Sequence, residues 1–94
     1  MASRDLERLR NAILDQRYTL TEHAYDEMDQ DNLDVLDVES AILTGRIEDV
    51  QTADPRGVRF VVVGAATDQN ATVGVAARFV EHDHVLIITV YEIT

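Results

Sequence analysis

Ninety-four residues are one domain's worth of chain, and 46% hydrophobic content is enough to build a core without covalent help. Cysteine is absent, which excludes disulfides, thiolate metal sites and cysteine nucleophiles. Eighteen acidic residues against eight basic ones leave a net charge of −10, a balance that disfavours nucleic acid and anionic membranes as partners. Every basic residue is arginine, so the acidity has two readings: a surface shaped by genome composition and a salt-rich environment, or a face that meets a specific partner.

In chain order, Leu6, Leu9, Ile13 and Leu14 fall on one helical stripe, with Ser3 as N-cap and Asp5 and Glu7 in the first turn. This predicts a helix over 4–16. The charged start differs from the apolar segment of a secretory signal, and the run Val85-Leu86-Ile87-Ile88 is too short to cross a bilayer. A cytoplasmic protein is therefore expected. Tyr18-Thr19-Leu20 reads as an extended link, and Thr21 caps a second helix with Ala24 and Met28 on its buried side. Asn32 is suited to the left-handed residue that ends it. Asp34 caps a third helix, with Val35, Val38, Ala41 and Ile42 facing the core and Gly45 as its stop.

The period then changes to that of strands. Ile47–Val50 is a weak first strand, Val58–Ala65 a strong second, Thr72–Val80 a third and Val85–Ile93 a fourth, apolar on both faces and so an inner strand. Short turns at 54–57, 67–70 and 81–84 make the strands an antiparallel meander. The expected fold is α+β: N-terminal helices packed on a four-stranded antiparallel sheet, in a single domain spanning 1–94.

Three groups of residues carry possible chemistry. His23, in the first turn of the second helix, is a general-base candidate or a residue that satisfies a nearby polar group. Glu81-His82-Asp83-His84 holds four metal-ligand types in a row, but it falls on a turn with no third ligand at a suitable spacing, so no metal and no cofactor is expected. Arg59 and Arg78 sit on neighbouring strands where they can share a face, either as an anion site or as an offset to surplus carboxylates. Phosphate-loop, nucleophile-elbow and metalloprotease patterns are absent from the sequence.

The order His23-Ala24, Met28, Asp37-Val38, Ile42 leading to Gly45, Gly64, and Ile88-Thr89-Val90-Tyr91 resembles the domain-of-unknown-function family 4258. The resemblance covers residues 18–92 and leaves the first helix, within 1–17, outside it. That family is similar in turn to the BrnT and RelE kind of toxin, in which helices pack on an antiparallel sheet and the protein cuts RNA. The resemblance thus implies a toxin-like fold. If it extended to ribonuclease activity, His23, Arg59, Arg78 and Tyr91 would be the catalytic residues. The family tends to read His-Ala-x-x-Arg-Met-x-x-Arg, whereas Glu27 and Asp31 occupy the two basic positions here. A nuclease needs positive groups to hold phosphate and to offset charge in the transition state. The expectation is a non-catalytic domain acting through a protein partner or as a homo-oligomer, with the ribonuclease as the alternative.

Overall fold

The computed structural model describes residues 3–93. Three helices, α1 (Ser3–Leu14), α2 (Glu22–Gln30) and α3 (Val35–Thr44), precede most of the strands: β1 (Tyr18–Leu20), β2 (Arg46–Gln51), β3 (Arg59–Ala65), β4 (Thr72–Val80) and β5 (His84–Ile93). The expected cap Ser3 is the first residue of α1, and its side chain lies outside the described part. Leu9 and Ile13 from α1, Ala24 and Met28 from α2, and Val38, Ala41 and Ile42 from α3 all enter one core. There they meet Phe60, Val62, Val73, Val75, Val85, Ile87 and Val90 of the sheet. Ile42 and Ile87 are fully buried, a placement that stabilises by about 1.5–3 kcal/mol for each such side chain.

The sheet has five strands in the order β1-β5-β4-β3-β2, so β5 is an inner strand. β2 to β5 form the expected antiparallel meander. The segment Tyr18–Leu20, expected as a link, adds a fifth strand parallel to β5, pairing Tyr18 with Val85 and Leu20 with Ile87. Three residues are too few to show a strand period; only β5's unpaired edge makes them a strand. The hydroxyl of Tyr18 donates to Glu39 on α3, and burial together with that carboxylate raises the phenol above its ordinary range.

Helix ends follow their local chemistry. α1 and α2 both close in Schellman motifs, with Gln16 and Asn32 left-handed at φ 61° and 58°. α3 opens on a reciprocal capping box between Asp34 and Asp37. Its C-terminal carbonyls are bonded by Arg10 of α1, which donates to Ile42 and Gly45 oxygens at 3.1 and 2.7 Å. Gly45 ends α3 with φ −92°, so its role is spatial, not that of a left-handed residue. A Cβ there would stand 2.2 Å from the Val63 carbonyl oxygen, and one on Gly64 2.0 Å from that of Ala41. The two glycines let the backbones of α3 and β3 touch.

Candidate functional site

The helices lie against one face of the sheet and at its β5 edge. Register assigns the residues of the other face. Along β3 it receives Arg59, Val61, Val63 and Ala65, because the intervening Phe60 and Val62 are buried under the helices. The β4 positions opposite them are Thr72, Gly74 and Ala76, followed by Arg78 and Val80. Across the β4–β5 ladder stand His84, Leu86, Thr89, Tyr91 and Ile93. A β-bulge at Ile88 keeps this alternation: Ala77 pairs with Ile87 and Ala76 with Thr89, so Ile88 is the extra residue.

No position that these three strands give to the helix-free face carries a carboxylate, although the chain has eighteen acidic residues. The centre is apolar and only partly exposed, with Val61, Val63, Leu86 and Tyr91 around a buried Ala76. Polar groups border it: Thr19 on β1, and Arg46, Asp49 and Gln51 on β2. The Tyr91 ring lies over Gly74, where an added Cβ would meet ring carbon Cζ at 2.4 Å. Glycine at this position gives the ring its seat, and the ring covers backbone that a side chain would otherwise cover.

One end of this face is basic. The last ladder pair of β3 and β4 is Phe60 with Ala77, so one step further Arg59 stands opposite Arg78 on the helix-free side. Like charges directly across a ladder are unfavourable. Arg59 reaches Asp54 with one terminal nitrogen at 3.8 Å, while its buried Nε–H has no acceptor among the described residues. Arg78 makes neither an ion pair nor a side-chain hydrogen bond among the described residues. Asp54 is held more closely by Arg56, whose side chain and backbone N–H both bond it; with Arg59 nearby, its carboxyl falls to about 2. His84, diagonal to Arg78 on β5, shares this end and has Nε2 2.6 Å from the Thr19 hydroxyl.

His23 is elsewhere. It is 66% exposed on α2, with Nε2 3.3 Å from Glu27 Oε1. The bracing at the start of α2 comes instead from Thr21, which accepts from the Ala24 N–H at 3.1 Å and donates to the Ile88 carbonyl at 3.0 Å. The structure therefore brings Arg59, Arg78 and Tyr91 to one face and leaves His23 off it. Tyr91 is itself four residue levels from Arg78, about 13 Å along the strand. The histidine that joins the arginine pair is His84. Its sequence signal, a position two residues before Leu86 in a strand of alternating faces, was present but hidden within an acidic turn.

Glu27 and Asp31 have a structural task. β1 covers only the first part of β5's outer edge, and beyond the bulge α2 runs beside it. Glu27 Oε1 accepts from the Val90 N–H at 3.0 Å, and Asp31 Oδ2 from the Glu92 N–H at 2.9 Å. Two carboxylates thus stand in for a neighbouring strand, a role that donor-only arginine cannot fill. Asp37 ties α3 to the β3–β4 turn by accepting from the Thr67 N–H and hydroxyl at 3.0 and 2.8 Å. Desolvation pushes this carboxyl up, but the bonds from Thr67 and Asp34 outweigh it and hold it below the ordinary range.

Glu81–Asp83 forms a single turn in which His82 and Asp83 are left-handed at φ 62° and 55°. Asp83 Oδ1 accepts from Arg8 at 2.9 Å, and His84 is already in β5. Two concavities lie away from the helix-free face. One, of about 380 Å³, is lined by Arg8, Val50, Phe60 and Phe79; the other, of about 270 Å³, contains Asp31, Asp37, Asp68 and Glu92. Among the described residues no helix is long and apolar enough to cross a membrane.

Compared with known families, the chain matches the Domain of unknown function (DUF4258) over residues 20–92, which takes in α2, α3, β2 to β4 and all but the last residue of β5. No curated protein and no solved structure matches it.

Proposed function

The chain belongs to the DUF4258 family, and we propose that it is a non-catalytic binding domain whose protein partner docks on the helix-free face of the sheet. The observation that carries this reading is the absence of carboxylates from the β3, β4 and β5 positions of that face in a protein of net charge −10. Acidity imposed by solvent or genome composition would spread over every wet surface. A contiguous apolar face that is spared it, and rimmed by polar groups, has the composition of a contact surface. The arginine pair adds to the argument. Opposing Arg59 to Arg78 costs stability in the free protein, and a partner that supplies negative charge would recover that cost.

A second reading is favoured by one observation: Arg59, Arg78 and Tyr91 share this face with His84. In it the protein is a ribonuclease of the RelE or BrnT kind, with the arginines on phosphate and Tyr91 or a histidine moving protons. The charge balance weighs against it, since a polyanion gains little by approaching this molecule unless the arginines alone hold it. Separation weighs against it too, with Tyr91 about 13 Å from Arg78 and His23 off the face.

Incubating the purified protein with single-stranded and structured RNA decides between the two. The expected result is no cleavage and weak, salt-sensitive binding near physiological ionic strength. Cleavage that is lost in Arg59→Gln, Arg78→Gln or Tyr91→Phe, all still folded, refutes the binding-domain reading.

A further inference from the structure

We infer that the occupant of the helix-free face is a single amphipathic helix carrying carboxylates at one end of its apolar stripe, and this inference rests on the binding-domain reading above. Width argues for one helix. The carboxylate-free zone spans three strands, β3 to β5, about 10 Å between outer strand axes, and is flanked by Thr19 on one side and by Arg46, Asp49 and Gln51 on the other. An α-helix with its side chains is about 10–12 Å across, so one helix covers this zone and a second sheet overruns it onto the polar borders. Length agrees. From Arg78 to Thr72 is about 20 Å along β4, which corresponds to some thirteen residues of helix, nearly four turns.

Charge selects the chemistry of that helix and argues against a second copy of this chain. Two copies stacked with strands antiparallel would set Arg59 and Arg78 of one over Thr72, Tyr91 and Ile93 of the other, where the face has no carboxylate. Stacked with the basic ends together, they would oppose arginine to arginine. Both arrangements desolvate the Arg78 guanidinium without an acceptor, which is unfavourable. A helix bearing Glu or Asp at the end that overlies Arg59 and Arg78 supplies acceptors to Arg78, and its apolar stripe covers Val61, Val63, Leu86 and Tyr91.

The test uses a fluorescein-labelled synthetic peptide of sixteen residues with leucines at helical i, i+3, i+4 and i+7 spacing and two glutamates at one end of the stripe. A matched peptide carries lysines in place of those glutamates. Anisotropy titrations against the full chain, with peptide up to about 1 mM, are expected to show the glutamate peptide binding about tenfold more tightly than the lysine peptide. The double variant Arg59→Glu, Arg78→Glu is expected to reverse that order, an inversion that misfolding cannot produce. Three results overturn the inference. If wild type binds both peptides equally, or the double variant keeps the original order, charge does not select the occupant, although the face still binds protein. If neither peptide binds while sedimentation shows a dimer that Arg59→Glu, Arg78→Glu alters, the occupant is a second copy and the wider reading survives. If neither peptide binds, the protein stays monomeric and RNA binds the face, both the inference and the binding-domain reading fall.

Discussion

Replacing Glu27 with alanine tests whether a side chain can serve as a strand edge. Val90 is fully buried, and its N–H has the Glu27 carboxylate as its acceptor at 3.0 Å. Glu27 is itself only 24% exposed, so water cannot readily take its place. Losing the acceptor leaves a buried donor unsatisfied, at a cost of about 1–3 kcal/mol; the charged acceptor puts the expectation near ~2 kcal/mol. For a domain of this length that lowers the melting temperature by about 10 °C. Glu27→Gln keeps an acceptor oxygen without its charge and should lose about half as much. Glu27→Arg offers only donors and should cost at least as much as alanine. Thermal and urea denaturation give the stabilities, and hydrogen exchange read at the Val90 amide localises the effect. If Glu27→Ala leaves both the stability within about 0.5 kcal/mol and the Val90 amide's protection unchanged, the edge argument is wrong.

Gly64→Ala should destabilise by about 3 kcal/mol, the upper end for overpacking, because its Cβ would stand 2.0 Å from the Ala41 carbonyl oxygen; a denaturation curve matching wild type would mean that α3 lifts off β3 without cost. Arg78→Gln should raise stability by roughly 0.2–1 kcal/mol or leave it unchanged, since it removes a like-charge opposition; a clear fall in melting temperature would show that Arg78 holds the fold together. The Asp54 carboxyl, at about 2 beside Arg56, has a folded value below its unfolded one. Its contribution is therefore complete above about pH 4 and is lost as pH falls through about 2. Carboxyl chemical shifts followed by NMR should give that midpoint and show it moving upward in Arg56→Gln; a midpoint that stays put would assign the shift to something other than Arg56.

Much of this architecture is written in local pattern. Thr21, Asp34 and Asn32 mark helix boundaries because a cap or a left-handed residue acts within four residues of the backbone groups it satisfies. The alternation through Val58–Ala65, Thr72–Val80 and Val85–Ile93 fixes three strands, and the short turns between them fix their antiparallel pairing. The presence of Arg59 and Arg78 on one face also follows from period-two geometry. What tertiary structure alone decided was long-range. Tyr18–Leu20 became a strand only because the edge of β5 was free to pair with it. Glu27 and Asp31, which look like lost basic positions in a one-dimensional reading, became hydrogen-bond acceptors because α2 lies beside N–H groups sixty-three and sixty-one residues further on. His23 and Tyr91 were separated, and His84 brought to the arginine pair, by the side of the sheet that the helices chose to cover. Composition fixed the net charge at −10, but only the packing of the helices decided that the face left open would carry no carboxylate on β3, β4 or β5. The reason is that a strand's period sorts residues into two faces, while burial elsewhere in the chain determines which of the two meets water.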